Sequence, residues 1–231
     1  MEFKNKNIEN YIKVILNKQP KKITQKDLYN IYTLNISNLN YTTKKREYDF
    51  TEINKFLFLN KIVIENSIIS LEDIEVFKKN GVSNIKFINC FFYDISELKE
   101  LYLRKLSIID CMNVNDFSWL ASMNKLVMLE IKNKDKKVLI NTNDLLNMHN
   151  LSSLILKNII LENIINFRNV VTNINLLILE KVDLERLEFL NCIKADSTII
   201  LDKINKDNYY VVNNKNRIKI YFDYAVFTSG T

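Results

Sequence analysis

The stretch VSNIKFINCFFYDISELKELYLRKLSIIDC, residues 82–111, holds two copies of one short pattern. The first is Val82-x-x-Ile85-x-Phe87-x-x-Cys90; the second, twenty-one residues on, is Leu103-x-x-Leu106-x-Ile108-x-x-Cys111. An apolar residue, two variable positions, an alternating apolar pair and a small side chain three positions later describe a short strand ending in a sharp turn. One such unit cannot bury its own apolar face, so recurrence predicts a stack.

The pattern extends in both directions. Leu59-x-x-Ile62-x-Ile64 precedes it, and Leu126-x-x-Leu129-x-Ile131, Leu151-x-x-Leu154-x-Leu156 and Ile174-x-x-Leu177-x-Leu179 follow. The strand positions 62, 85, 106, 129, 154 and 177 are 23, 21, 23, 25 and 23 residues apart. Leu34-x-Ile36 is the expected first strand. Leu184-x-x-Leu187-x-Phe189-x-x-Cys192 repeats the pattern too soon for a full coil. It reads as a return helix before a strand at 199–201, with a short terminal hairpin as the alternative. The run 217–224 alternates Ile218, Ile220 and Phe222 on one face and reads as an edge strand, with Tyr209, Tyr210, Tyr221 and Tyr224 closing that end of the core.

Helical signals lie between the strands and ahead of them. Ile8, Tyr11, Ile12, Ile15 and Leu16 form a helical stripe, expected to cover the first open face of the stack. Thr24 with Asp27, and Ser70 with Asp73, have capping-box spacing, and Gly81 suits a left-handed helix end. Leu71, Ile74 and Phe77 are expected to face inward, as are Phe117, Trp119 and Leu120. Residues 141–147 open a further return segment. The resulting division is an amino-terminal helical cap over 1–22, a repeat body over 23–201 and a carboxyl-terminal cap with an edge strand over 202–231.

A chain that is 47% hydrophobic can fill a continuous core, yet it has only two glycines and one proline. Its turns therefore fall to Asn, Asp, Ser or Lys, and the 34 asparagines, with abundant Ile and Lys, fit a biased composition rather than individual roles. The net charge of +6 is concentrated at one end: residues 1–50 hold ten Lys or Arg against five Asp or Glu. The opening residues lack an apolar leader core and no segment has membrane-spanning length. That makes the cytoplasm the expected compartment, or the exterior if a leader has been removed. Cys90, Cys111 and Cys192 form no disulfide framework or metal spacing, and reduced thiols are expected.

The strand pattern resembles that of the leucine-rich repeat family, Leu-x-x-Leu-x-Leu-x-x-Asn/Cys, most closely at 82–90, 103–111, 151–159 and 174–182. Cys90 and Cys111 match its last position, whereas Lys134, Ile159 and Val182 depart from it, which implies irregular turns. The resemblance covers residues 23–201 and is to bacterial repeats of about 22 residues, including the internalin-like class. It implies an irregular α/β solenoid: a right-handed stack with a parallel sheet on its concave face and helices or turns on its convex face. Such repeats mainly serve as binding scaffolds.

Alternation turns Lys86 and Ile88, Ile109, Glu130, Ile155 and Lys157, and Ile178 outward from the sheet. Branched apolar side chains edged by charge are what a protein partner requires. The expected function is therefore non-enzymatic protein binding through the sheet, masking or inhibiting a macromolecule. The alternative is nucleic-acid association through Lys21, Lys22, Lys44, Lys45 and Arg46, with Tyr29, Tyr32, Tyr41 and Tyr48 available for stacking. An enzyme is not expected. His149 is the only histidine, and the chain has no glycine-rich phosphate loop, Cys-x-x-Cys pair, His-Glu-x-x-His segment or Gly-x-Ser-x-Gly turn. No cofactor, metal or membrane contact is called for, and the pattern does not specify an oligomeric state.

Overall fold

Each predicted strand forms, and each is hydrogen-bonded in register to the strand of the neighbouring repeat. The computed structural model describes residues 2–37, 50–162, 174–184, 198–202, 217–222 and 225–227, with side chains as far as residue 183. The strands are β1 (Thr33–Ser37), β2 (Lys61–Glu65), β3 (Ile68–Ile69), β4 (Asn84–Ile88), β5 (Phe91–Phe92), β6 (Lys105–Ile109), β7 (Met128–Lys132), β8 (Val138–Asn141), β9 (Ser153–Lys157), β10 (Ile159–Glu162), β11 (Leu176–Glu180), β12 (Asp183–Leu184), β13 (Thr198–Asp202), β14 (Arg217–Phe222) and β15 (Ala225–Phe227). The α-helices are α1 (Lys6–Leu16), α2 (Gln25–Leu28), α3 (Leu71–Asn80) and α4 (Thr142–Leu146). The chain divides into two units, Met1–Val114 and Asn115–Thr231.

In the first unit β1, β2, β4 and β6 pair in parallel. Leu34, Ile62, Ile85 and Leu106 form one inward row, and Ile36, Ile64, Phe87 and Ile108 the next. All eight are buried. Behind them the phenylalanines make a continuous aromatic seam: Phe50 to Phe77 at 5.6 Å, Phe77 to Phe87 at 6.4 Å and Phe87 to Phe92 at 4.9 Å between ring centroids. Edge-to-face packing of this kind adds to the gain from burial.

The second unit repeats the arrangement with aliphatic side chains. Strands β7, β9, β11, β13 and β14 pair in parallel, and β15 joins β14 antiparallel. The expected edge strand at 217–224 is thus an interior strand ending at Phe222, because β15 pairs with its far side. The strand expected at 199–201 is β13. Leu184, the expected first residue of a return helix, lies in β12 instead, and the rest of that stretch, 185–197, with Tyr209, Tyr210 and Tyr224, lies outside the described residues.

Two backbone motifs hold register. Before β2, β4, β6, β9 and β11, two successive N–H groups share one carbonyl of the preceding coil. Asn60 and Lys61 donate to Tyr32 O, Ser83 and Asn84 to Asn60 O, and Arg104 and Lys105 to Ser83 O. Ser152 and Ser153 do the same to Val127 O, and Asn175 and Leu176 to Ser152 O. After β2, β4, β6, β9 and β11, the residues Asn66, Asn89, Asp110, Asn158 and Lys181 take left-handed backbone with φ from 50° to 57°. Asparagine and aspartate tolerate that conformation better than other non-glycine residues, so asparagine makes turns for which this chain spends no glycine.

Beyond the strands the chain forms a second, shorter set of ladders that the strand pattern did not reveal. β3 pairs with β5 in the first unit, and β8, β10 and β12 pair in the second. The return segments differ in length. α3 occupies the 23-residue step from Ile62 to Ile85, whereas the tighter 3₁₀ turns of Ile95–Glu100 serve the 21-residue step from Ile85 to Leu106. A 3₁₀ turn advances about 2.0 Å per residue against about 1.5 Å for an α-helix, so fewer residues make the same return.

The caps are built largely as the sequence indicates. Ser70 and Asp73 cap α3 reciprocally, with Asp73 Oδ2 accepting from Ser70 N at 2.9 Å, and Gly81 ends the helix at φ 73°. Thr24 and Asp27 form a second capping box, on the four-residue α2. In α1, Ile8 and Ile12 are buried, and Tyr11 Oη donates to Thr33 O of β1 at 3.2 Å. Two expected inward residues instead face solvent: Ile15 lies in the last turn of α1 beyond its buried stripe, and Leu71 is the first residue of α3, where the cap turns it outward.

Candidate interaction faces

The outward sides of the strands form register-matched rows. In the first unit Glu65, Ile88 and Ile109 lie side by side, with Val63, Lys86 and Ser107 as the next row. Ile88 and Ile109 are half-buried, sheltered by their neighbours yet reachable from outside. In the second unit one row runs Glu130, Ile155, Ile178, and the next runs Lys132, Lys157, Glu180. Backbone register continues the apolar row to Ile200 of β13.

The charged row is internally paired. Lys157 forms an ion pair with Glu180, its direct cross-strand neighbour, and Lys132 meets Glu130 at 2.6 Å. Glu130 was expected as an exposed orienting charge, and the structure corrects this. It retains only 8% exposure, because it sits at the centre of its strand next to Ile155 with Lys132 closing over it. Glu130 is thus part of the sheet's own packing. Lys86 and Lys157 are half-buried along their stems and carry the charge at the surface.

Of the basic residues at the amino end, Lys21 and Lys22 are exposed on the turn Pro20–Lys22. Lys44, Lys45, Arg46, Tyr41 and Tyr48 lie outside the described residues. His149 is exposed in the turn before β9. Among the described residues no group of three or more His, Cys, Asp or Glu is arranged to hold a metal ion, and no helix is long and apolar enough to cross a membrane.

Cys90 and Cys111 occupy equivalent positions on neighbouring coils as free thiols, joined by the Met112 N–H donating to Cys90 O at 2.8 Å. Burial, followed by the hydrogen bond with Cys111, pushes the Cys90 thiol far up. The same contact stabilises the Cys111 thiolate and brings its pKa below the ordinary value, against the cost of burial. The two thiols therefore differ in direction, with Cys90 held protonated and Cys111 favoured as thiolate.

The sequence reading missed a group of exposed side chains at the edge where the strands begin. Leu57, Phe58 and Tyr102 face solvent there, with Tyr29 against Phe58 edge-on at 6.0 Å. Phe58 and Tyr102 each lie three residues before a strand, and that shared spacing was the available signal.

No protein-family model matches the chain, and no curated protein matches it by sequence. Among solved structures, an internalin of Listeria monocytogenes is similar at a TM-score of 0.61 and 20% identity, over 94% of this chain and 64% of that one. The chain therefore spans less than two thirds of that internalin's length. A second internalin of the same organism matches at a TM-score of 0.40 and 19% identity, over 79% of this chain and 94% of that one. The likeness overturns the cytoplasmic expectation, since internalins are characteristically secreted or surface-exposed bacterial proteins. That expectation rested on opening residues without an apolar leader core and on the lack of a segment of membrane-spanning length. With its parallel strands, left-handed turns and matching solved relative, the chain has the leucine-rich-repeat fold of the internalin type.

Proposed function

We propose that this chain is a non-enzymatic protein-binding scaffold that presents the outward face of its parallel strands to a partner and masks the partner's complementary surface. The observation that carries this reading is the row Glu130, Ile155, Ile178, where branched apolar side chains stand in register on the outward face beside the ion-paired row of Lys157 and Glu180. Solubility alone favours polar groups at such positions, whereas an apolar centre with a charged rim is the anatomy of a recognition surface. Ile88 and Ile109, with Lys86 in the adjoining row, form a separate patch of the same kind on the first unit. Strands locked by hydrogen bonds on both sides are already ordered, so little conformational entropy is lost on binding.

The test is capture of partners from a source-cell lysate by wild type, I155D/I178D and I88D/I109D, after circular dichroism confirms that all three are folded. Loss of the same nuclease-resistant protein partner from at least one variant supports the reading. Unchanged capture by both folded variants moves recognition off the strand face, and a partner released by nuclease favours nucleic acid.

A further inference from the structure

The leading edge of the first unit's sheet carries a group of exposed apolar side chains apart from the outward strand face. The shared-carbonyl ladder places Tyr32, Asn60, Ser83 and Arg104 at equivalent points of successive coils. Phe58 and Tyr102 each lie two residues ahead of such a point, so they project from the same edge two coils apart, about 10 Å at the usual strand spacing. Tyr102 is 80% exposed, Leu57 64% and Phe58 52%. Tyr29 packs edge-on against Phe58 at 6.0 Å, making a corner of apolar surface rather than a scatter of single side chains.

The stack does not need these side chains. The coil between Phe58 and Tyr102 has Gly81 at the same point, with nothing within 4 Å of where a side chain would begin. The equivalent positions of the second unit are Lys125 and Asn150, both exposed and polar. A position that accepts glycine, lysine and asparagine elsewhere in the same fold has no structural demand for phenylalanine or tyrosine.

Charge on this edge is mainly positive, with Glu52, Glu75 and Glu100 immediately ahead of its segments. The segments leading into the strands, residues 53–61, 76–84 and 101–106, contain six Lys or Arg and no Asp or Glu. Lys78 is engaged with Glu100 at 3.5 Å and Lys55 with Glu52 at 2.6 Å. Lys61, Arg104 and Lys105 are exposed and form no ion pair among the described residues. Register sets Lys61 and Lys105 on either side of Asn84, so two cations flank the span between Phe58 and Tyr102.

We infer that this edge docks an acidic protein segment that bears aromatic or aliphatic side chains. The cations supply orientation and the apolar corner supplies the anchor, the combination in which Tyr and Arg recur as binding hot spots. A nucleic acid would satisfy the cations, but stacking of bases needs open ring faces. Leu57 offers none and Tyr29 and Phe58 pack against each other, which leaves Tyr102 as the one ring of this group outside that pair, short of the successive platforms that a strand of bases requires.

The experiment is selection of a random peptide display library on the immobilised full chain, followed by fluorescence anisotropy of the enriched peptides. Peptides rich in Asp or Glu around an aromatic or aliphatic residue are expected. Their affinity should fall by about tenfold or more in folded F58S/Y102S and in R104E/K105E, and stay constant in the surface control K136S. Enrichment of no peptide, or peptides bound equally by both edge variants, overturns the inference. So does tighter, Tyr102-dependent binding of mixed-sequence single-stranded DNA. Peptides that lose affinity for I155D/I178D instead would also overturn it while supporting the strand-face reading.

Discussion

The side-chain amide of Asn89 donates to Oδ1 of Asn66 at 2.6 Å, linking the left-handed turns that end two neighbouring strands. Asn89 has φ 50° and its N–H donates to Ile109 O at 2.8 Å, so one residue serves backbone geometry and both adjacent coils. Alanine at this point meets the steric cost of the left-handed region, about 1–2 kcal/mol, and loses the amide bond as well. Glycine loses only the bond, about 0.5–1.5 kcal/mol. Urea midpoints are therefore expected in the order wild type, Asn89→Gly, Asn89→Ala. A glycine variant less stable than the alanine variant would show that turn conformation is not what Asn89 supplies.

Phe87 is fully buried and lies in the middle of the aromatic seam, against Phe92 and Phe77. Phe87→Ala is expected to cost about 3–5 kcal/mol through lost transfer energy and the cavity left behind. Lys86→Ala, one residue away on the opposite face, is expected to stay within about 0.5 kcal/mol. Equal denaturation midpoints for the two would contradict the inward and outward assignment of β4.

Glu52 ties the amino terminus to the first unit, its carboxylate accepting from Asn5 N at 2.7 Å, Lys4 N at 3.0 Å and Lys55 Nζ at 2.6 Å. Burial pushes its pKa up, but these donors together outweigh burial and hold it below the ordinary glutamate value. A carboxyl whose pKa is lower in the folded chain stabilises above the unfolded value and loses that contribution as pH falls through the folded one. As pH falls through the carboxylate range, wild type should lose more thermal stability than Glu52→Ala does. At neutral pH the alanine variant should be less stable by about 1–3 kcal/mol, because buried donors lose their acceptor. Parallel stability curves for the two proteins would remove Glu52 from this role.

Cys111 is half-buried with a lowered pKa, whereas Cys90 is buried with a raised one. Iodoacetamide is therefore expected to modify Cys111 well before Cys90 in the native protein, with the difference lost in denaturant. Peptide mapping by mass spectrometry reads both rates. Faster native labelling of Cys90 would contradict the packing of that turn.

Periodicity alone determined the repeat. The apolar pairs at Ile62 and Ile64, Ile85 and Phe87, and Leu154 and Leu156 specify strands, because a period of two fixes which side chains enter the core and allows one register. The caps at Ser70 and Gly81 were legible for the same reason, since they depend on chemistry a few residues long. What tertiary structure decided depends on neighbours remote in sequence. Glu130 points outward by alternation yet is buried, because its surroundings come from Ile155 on the next strand and from Lys132 folding over it. β14 reads as an edge until β15 turns back upon it, and strand pairing is not written in either strand alone. Phe58 and Tyr102 are 44 positions apart in sequence, and only the hydrogen-bonded succession of coils brings them to one edge.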